Sequence, residues 1–506
     1  MEVLKENLVE QELVSLDNIQ LKLENKVALP ENAKKLIGVS CQLLGQNSQV
    51  VANEIFLTGS LVTRLVFMNE FEKFDSQDFT ETFEKKIAVK EVDDAGQMFA
   101  TVNLLDSKWQ LQDNQVILDN LVVVDVKNVK AHNWQVVSDL TGDVEVRKTE
   151  HQILTFNSKL AEKFELVENI ELETNCEGVL GVDVNPNLKD TSVNAGKINL
   201  KGTMMVNLLG VKLVDNVSVP YNAVHEIDFS KSLVVNSVTA EDLACGLVTV
   251  NSVEIHVENG QKGPILALKL ELVFNGSVYS NHKFSSVVDA IAFDKELTFQ
   301  TVQSNYIDVL PQVNTTVDIE NNINLAPNTP YIAHVLAVEG ARVNNLTVNA
   351  GNGKTMLEGV LAVNLLLENE EHMITGEHYE VPFQTHIRMD NLDRDYAINA
   401  VAVPLSVNAK ARRGTEILID AQLSVVVQGS TPKQVNLVSN LEEGVAKIDD
   451  GSAIRIYIIG EKENLWDLAK RTNLSCASLL QQNPNLENGC TPGERIVVYR
   501  HENVSL

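Results

Sequence analysis

Apolar and polar residues alternate along most of the chain. The clearest stretch is 196–209, where Leu200, Gly202, Met204 and Val206 share one face of an extended strand and the residues between them are mostly polar. Successive side chains of a strand point to opposite faces, so this period of two predicts a strand with one buried face. The glycine inside the apolar stripe indicates a bulge or a close backbone approach.

The same stretch returns twice. Residues 353–366 match 196–209 at more than half of their positions without a gap, and 55–66 keep the Leu-x-Gly and the later Leu. Such self-similarity indicates three copies of one β domain, each of about 140–160 residues, which is a normal domain size. Similar short apolar segments precede the three copies by nearly equal distances, at 36–39, 179–182 and 335–338.

Further strand signals surround each copy. Entry strands end near a proline turn in the first and third copies, and each copy closes with two more strands. In the second copy these strands flank Asn259-Gly260, a strong hairpin signal, and in the third they flank the charged turn Arg412-Arg413-Gly414. Residues 1–18 are amphipathic and predict a short helix or a lead-in strand.

Helical spacing begins only after Gly444. A strand at 454–459 is followed by Leu465, Trp466 and Leu468 at helical spacing, then by a second short helix and a closing strand. We therefore predict a mainly β fold, with three tandem β-sandwich or barrel-like repeats and then a small α/β domain of βααβ order. The predicted boundaries are 1–18 for the lead-in, 19–150, 151–300 and 301–448 for the repeats, and 449–506 for the last domain.

The composition argues against several classes of function. The 506 residues include 41 basic and 69 acidic side chains, a net charge of −28, which argues against binding to nucleic acid or to an anionic membrane surface. No apolar run approaches membrane-spanning length, and the charged N-terminus indicates no signal peptide. Five scattered cysteines without a paired spacing are typical of reduced, mostly buried thiols in the cytosol.

Two stretches resemble functional motifs, but neither has the residue spacing that its motif requires. Residues 350–355 resemble part of a phosphate-binding loop, but Val348 stands where the pattern needs its first glycine, so a hairpin turn is favoured. His372, His378 and His386 lie near glutamates but lack the HExxH spacing of a zinc site. We expect no catalytic residue, no cofactor and no bound metal, and therefore no enzyme.

The C-terminal domain resembles a LysM module. The resemblance rests on four segments: Tyr-Ile-Ile at 457–459, Leu-Trp-x-Leu-Ala at 465–469, Leu-Leu-Gln-Gln-Asn-Pro at 479–484 and Pro-Gly-Glu-Arg-Ile at 492–496. Sugar-binding LysM modules usually carry Gly-Asp-Thr directly before the Leu-Trp pair. Here those positions hold Lys462-Glu463-Asn464, which puts sugar binding in doubt.

Three β repeats followed by a LysM module resemble the SPOCS-domain, SipL-like spore coat morphogenetic proteins of endospore-forming bacteria. The resemblance implies a scaffold and adaptor in the mother cell cytoplasm, at the forespore surface and spore coat. It also implies that the LysM module binds the coat-basement morphogenetic ATPase, a SpoIVA-type protein. The alternative is a cell-wall or spore-envelope protein whose LysM module binds peptidoglycan or cortex glycan.

We expect the partner contacts to come from the near-neutral C-terminal domain, because Trp and Arg are enriched among interface anchors. Trp466 itself is expected to lie partly in the core. The candidate partner-binding residues are Ile454, Ile456, Ile459, Leu465, Trp466, Leu468, Arg471, Leu480, Asn483 and Pro484.

Overall fold

A computed structural model describes residues 1–51, 54–88, 97–327, 329–447 and 454–499, with backbone alone at 10–18, 50–51, 97–101, 103, 125 and 127–132. The described chain is mainly β, as the alternating pattern predicts. Its strands fall into three large units and a small C-terminal module.

The first unit is built from two antiparallel sheets of three strands each. Its strands are β1 (Glu2–Ala28), β2 (Ala33–Val51), β3 (Glu54–Asn69), β4 (Phe74–Ala88), β5 (Gln97–Gln112) and β6 (Gln115–Thr141). β6 lies between β1 and β5, and β3 lies between β2 and β4. Apolar side chains from both sheets, including Leu57 and Val122, share one core, so the sheets pack face to face.

The second and third units have the same connectivity. The second contains β7 (Val144–Glu171), β8 (Cys176–Asn194), β9 (Lys197–Val214), β10 (Val217–Val234), β11 (Leu243–Asn259) and β12 (Pro264–Ala292). The third contains β13 (Lys295–Val309), β14 (Val313–Asn324), β15 (Ile332–Gly351), β16 (Lys354–Asn369), β17 (Ile374–Arg388), β18 (Ala397–Arg412) and β19 (Glu416–Ala446). The first and second units each have one long strand beside β6 or β12, namely β1 or β7. In the third unit two shorter strands, β13 and β14, take this position, since both pair with β19.

The C-terminal module has the predicted order of elements. It consists of β20 (Ile454–Ile458), α1 (Leu465–Thr472), α2 (Cys476–Gln482), a 3₁₀ turn (Pro484–Asn488) and β21 (Arg495–Tyr499). β20 and β21 pair antiparallel.

In each unit, a glycine and a phenylalanine face each other on neighbouring strands of one three-stranded sheet, whose central strand is β3, β9 or β16. A Cβ atom built on the glycine would lie 2.7–2.8 Å from the Phe Cζ atom, so the ring covers the bare backbone and excludes a larger residue. This explains the glycine in the repeated stretch and confirms the predicted close approach. The pairs are Gly59 with Phe83, Gly202 with Phe229, and Gly359 with Phe383.

Register shifts also recur at equivalent places. The strand beside each glycine shifts register at or next to it, between Leu44 and Asn47, Leu188 and Asp190, and Asn344 and Thr347. The same strands shift again at the short apolar segments noted in the sequence, where Ile37, Leu180 and Leu336 are each passed over in the pairing. Bulges of this kind bend a strand and re-aim its side chains.

Those bends bring the three units together. The three skipped residues, of which Leu336 is partly buried, gather in one apolar cluster with residues from the neighbouring strands, Val66, Leu209 and Leu366. Around this cluster each unit donates a side-chain N–H to a valine carbonyl of another unit. The three bonds are Arg64 Nη2 to Val182 O at 3.3 Å, Asn222 Nδ2 to Val338 O at 2.9 Å, and Asn364 Nδ2 to Val39 O at 3.1 Å. The first unit thus contacts the second, the second the third, and the third the first, which closes a ring.

The ends of the longest strands form a second shared region, which we call the stem. It comprises three two-stranded ribbons, 2–8 with 134–141, 144–156 with 279–292, and 295–309 with 430–446. Apolar side chains from all three ribbons pack together, including Leu140, Val287 and Leu441. The stem therefore binds the units together over a second, separate apolar cluster.

Three of the predicted boundaries fall inside strands. Residues 1–18 are not a separate lead-in, because β1 runs without a break from Glu2 to Ala28. The boundaries at 150/151 and 300/301 fall inside β7 and β13, because the chain passes between units at tight turns within the stem. The boundary at 448/449 lies outside the described residues. Strand periodicity continues through such turns, so it does not mark the change of unit.

Two hairpin predictions are confirmed, since Asn259-Gly260 joins β11 to β12 and Arg413-Gly414 joins β18 to β19. The thiols are less buried than expected. All five cysteines are unpaired, but only Cys245 is fully buried, and the other four are partly exposed.

Candidate docking site on the C-terminal module

Local signals start both helices of the module. The Asn464 side chain accepts a hydrogen bond from the Asp467 backbone N–H, and the Asp467 carboxylate accepts one from the Asn464 N–H, both at 3.1 Å. This capping box satisfies two N–H groups that would otherwise lack partners at the start of α1. Ser475 caps α2 by accepting from the Ser478 N–H at 3.1 Å. The sequence therefore fixes where each short helix begins.

The helices cover one face of the β20–β21 pair. Ile496 and Val498 of β21 are almost completely buried against Leu468 of α1 and Leu479 of α2. This small core holds the strands in place.

Two side-chain amides close the outer edge of β21. Asn483 accepts from the Val497 N–H at 2.9 Å and donates to the Val497 carbonyl at 2.8 Å. Gln482 makes the same pair of bonds with the N–H and carbonyl of Tyr499, at 2.8 and 3.0 Å. The backbone groups on this edge are therefore already occupied.

The opposite face of the β20–β21 pair is apolar and exposed. Ile454, Ile456 and Ile458 are 61%, 66% and 56% exposed, and Tyr499 lies across from Ile454 with 46% exposure. We call these four residues the apolar stripe. Contiguous exposed apolar groups are typical of a protein–protein contact, whereas single ones are ordinary.

The candidate partner-binding residues divide by exposure. Ile454, Ile456, Arg471 and Pro484 are exposed, and Leu465, Trp466 and Leu480 are half-buried. Ile459, Leu468 and Asn483 are buried and present little surface for direct contact with a partner. Ile459 and Leu468 belong to the core, and Asn483 is committed to β21. Ile458 and Tyr499 were not predicted, although alternation of isoleucine at 454, 456 and 458 was the signal that could have found the first.

Trp466 faces the stem rather than a partner. Its Nε1–H donates to Asp289 Oδ2 at 2.8 Å, and Lys470 Nζ lies 2.6 Å from Asp289 Oδ1. Asp289 belongs to β12, so one carboxylate joins two side chains of α1 to the second unit. Trp466 therefore makes an internal contact, and its role as a partner anchor stays a prediction.

Further bonds attach the module to the same end of the stem. The Cys476 N–H, at the start of α2, donates to Glu145 Oε2 at 2.8 Å. Asn473 donates to the Phe293 carbonyl and accepts from Lys447 Nζ, both at 2.7 Å. Ile291 of β12 is buried in the module's own core. The module is thus held on the stem by one face, and the apolar stripe is not part of that contact.

The loop that stands where sugar-binding modules carry Gly-Asp-Thr forms bonds within the module. Glu463 accepts from the Gly460 N–H at 2.8 Å and lies 3.0 Å from Arg471 Nη2, with its side chain 14% exposed. Arg471 also donates to the Ile458 carbonyl at 2.8 Å and lies over the Tyr457 ring. The carboxylate of Glu463 in this loop is therefore bonded within the module.

A buried polar cluster lies where the three units meet. Arg64, 7% exposed, places Nη1 2.9 Å from Asp183 Oδ1 and Nε 3.1 Å from Asp78 Oδ1. Glu339, 2% exposed, accepts from Asn364 through Oε2 at 3.1 Å, and its Oε1 has no hydrogen-bond partner among the described residues. Burial raises the pKa of Glu339 to about 7, against smaller lowering effects of Ser40, Arg64 and Asn364. Sequence alternation did not reveal this cluster, because its members lie far apart along the chain.

The other sequence candidates lie apart. His372 bonds to Glu368 and His378 to Asn364, at 2.7 and 2.8 Å between the bonded atoms. Within the described ranges, no group of three or more His, Cys, Asp or Glu side chains is arranged to hold a metal ion. Gly353 adopts a φ of 69° in the tight turn from β15 to β16, which confirms a hairpin in place of a phosphate loop.

Comparison with known proteins identifies no relative: no family model, no curated protein and no solved structure matches the chain. Among the residues with described structure, no helix is both long and apolar enough to cross a membrane.

Proposed function

We propose that this chain is a non-enzymatic scaffold and adaptor of spore coat assembly, with three SPOCS-like repeats and a C-terminal LysM-like domain. Its partner is the coat-basement morphogenetic ATPase of the SpoIVA type, bound in the mother cell cytoplasm at the forespore surface. The equivalent strands and register shifts of the three units support the repeat interpretation. The strand–helix–helix–strand order of the last module supports the LysM interpretation.

One observation carries the adaptor role. The apolar stripe is exposed on the face of the β20–β21 pair opposite the helices, and the described residues that attach the module to the stem do not cover it. An adaptor needs one surface that holds its own scaffold and another that is free for a partner. The internal role of Trp466 and Asp289 provides the first, and the apolar stripe provides the second.

The proposal is tested by measuring the affinity of the full chain for the purified ATPase. Ile456→Lys places a charge in the apolar stripe and should weaken binding by at least about a hundredfold, because a charge cannot be buried there without a partner. Val234→Lys is the matched control, since Val234 is 68% exposed but lies in the second unit. Equal affinity of both variants, with both folded, would contradict the assigned site.

The glycan alternative is tested in the same material. Retention of the full chain on insoluble peptidoglycan, unchanged by Ile456→Lys, together with no binding to the ATPase, would assign the module to the envelope glycan. The internal bonds of Glu463 and Arg471 favour the protein partner, because they occupy the loop that sugar-binding modules leave for the ligand.

A further inference from the structure

The two edges of the β20–β21 pair are unlike each other. In an antiparallel pair, alternate residues direct their N–H and C=O groups towards the neighbouring strand and away from it. Val497 and Tyr499 direct theirs away from β20, since Asn483 and Gln482 bind them. Their register partners Ile456 and Ile454 must then direct their own backbone groups away from β21.

Bonds at the end of β20 agree with this assignment. The Ile459 N–H donates to the Glu494 carbonyl, and the Ile459 carbonyl accepts from Gly493, so the odd-numbered residues face β21. Ile458, an even-numbered residue, directs its carbonyl outwards to Arg471. At Ile454 and Ile456, no described residue bonds the outward backbone groups. Among the described residues, side-chain amides therefore close one edge of the pair, and most of the other edge has no bonding partner.

The same residues carry the open backbone and the exposed side chains. Ile454 and Ile456 present outward N–H and C=O groups, and their side chains lie in the apolar stripe. Such an edge is a template for one more strand, in which main-chain bonds supply affinity and alternate side chains supply specificity. Helices or compact surfaces could cover the side chains, but only an extended segment satisfies the backbone as well.

Charge refines the partner. Arg495 is exposed and lies across from Ile458 at one end of the apolar stripe, whereas Arg471 at the same end is already paired with Glu463. An exposed cation stands out in a chain with a net charge of −28. A segment with an acidic residue at this end would complement Arg495.

We propose that the outer edge of β20 accepts an extended segment of the partner protein as an added strand, with apolar residues at alternate positions and an acidic residue near Arg495. This inference rests on the proposed adaptor function and names its mode of binding. The pair of strands becomes a three-stranded sheet on complex formation.

A proline substitution separates strand addition from simple packing against the apolar stripe. Ile456→Pro removes the outward N–H and leaves the β20–β21 bonds of residues 455 and 457, and proline is tolerated at an edge position whose N–H faces solvent. Ile456→Ala is the matched variant, because it loses the same side chain but keeps the N–H. A thermal melt of each variant reports whether the module stays folded.

The probe is a pair of short synthetic peptides of identical composition, titrated against the full chain. One alternates valine with polar residues and ends in glutamate, and the other has its valines placed together. We expect the alternating peptide to bind, Ile456→Ala to weaken it, and Ile456→Pro to weaken it by about a further tenfold, the value of one backbone hydrogen bond. Amide hydrogen exchange at Ile454 and Ile456 should slow only in the presence of that peptide.

Equal binding by the alanine and proline variants, equal binding of the two peptides, or no binding of either would overturn the proposal. Dimers of the chain that disappear in Ile456→Pro would also overturn it, by assigning the edge to a second copy. The ATPase provides the distinction from the adaptor role. If the alternating peptide binds as expected but the ATPase does not bind, strand addition stands and the adaptor role falls. If the ATPase binds the Ile456→Ala and Ile456→Pro variants equally well, the adaptor role stands and strand addition falls.

Discussion

Replacement of one buried asparagine should stabilise the first unit. Asn120 of β6 is 0% exposed, and neither its Oδ1 nor its Nδ2 has a hydrogen-bond partner among the described residues. At the equivalent positions of the second and third units stand Leu270 and Ala421, both buried. Equivalence follows from the bulges beside them, which face Val122, Leu272 and Leu423 respectively. Only the first unit thus carries an amide at this core position.

The amide also lies where the core of that unit is divided. Leu118 belongs to one apolar cluster and Val122 to another, with Asn120 between them on the same face of β6. The second and third units each have a single continuous core cluster instead. A buried donor or acceptor without a partner costs about 1–3 kcal/mol, and leucine has the same branching as asparagine without its polar atoms.

Asn120 has two such groups, so their removal should contribute about 2–6 kcal/mol. Fitting the larger leucine side chain should cost about 1–3 kcal/mol. We therefore expect Asn120→Leu to raise the free energy of unfolding of the first unit by about 1–3 kcal/mol. With a urea m-value of about 2 kcal/mol/M, the midpoint should rise by about 0.5–1.5 M. Tryptophan fluorescence is a suitable assay, because two of the three tryptophans, Trp109 and Trp134, lie in the first unit.

Leu270→Asn is the reverse substitution and serves as the control. It introduces the same unpartnered amide into a continuous core, and should destabilise the second unit by about 3–5 kcal/mol. A midpoint for Asn120→Leu that is unchanged or lowered at the same m-value would refute the reasoning, since it would mean that Asn120 has partners or that its site cannot accept leucine.

Three further outcomes test other parts of the fold. Because burial raises the pKa of Glu339 from 4.5 to about 7, its stabilising contribution is complete below pH 4.5 and is lost as the pH rises through 7. The free energy of unfolding should therefore fall by about 3 kcal/mol between pH 5 and 8, and Glu339→Gln should abolish this fall. Urea-stability curves that run parallel over this pH range for both proteins would contradict the prediction. Gly202→Ala should destabilise the second unit by about 2–3 kcal/mol, measured by urea denaturation, because a Cβ atom there would lie 2.3 Å from the Asn187 carbonyl oxygen and 2.7 Å from the Phe229 ring; an unchanged midpoint would mean that both the neighbouring backbone and the ring move aside freely. Asp289→Ala should shift Trp466 fluorescence to longer wavelength by exposing the indole to water, whereas an unshifted spectrum would show that this carboxylate does not hold α1 on the stem.

Strand periodicity predicted the mainly β class, and the change to helical spacing predicted the two short helices of the C-terminal module, because both patterns depend on neighbours within the same element. The repeated glycine at Gly59, Gly202 and Gly359 also pointed correctly to a close approach. The reason, a phenylalanine on the next strand, was not readable from one strand alone. Unit boundaries were missed because β7 and β13 begin after tight turns that carry no composition change.

The candidate site was predicted only in part. The alternation at Ile454 and Ile456 placed two exposed residues correctly, but burial of Ile459, Leu468 and Asn483 depends on helix packing that spacing does not fix. Trp466 looked like an anchor because of its chemistry. Its partner, Asp289, lies far away in the sequence and nothing near it marks the contact. Contacts between distant segments decide which apolar residues are free for a partner.

The ring of three units has a consequence for length variants of this protein. Every junction joins unlike surfaces, since a side chain of one unit meets a valine carbonyl of another. Unlike surfaces close only at the copy number that their rotation allows. A chain shortened to two units would carry one unmatched donor surface and one unmatched acceptor surface, and would satisfy them by recruiting a unit from a neighbouring molecule. Length variants with fewer than three units should therefore form oligomers that complete the ring.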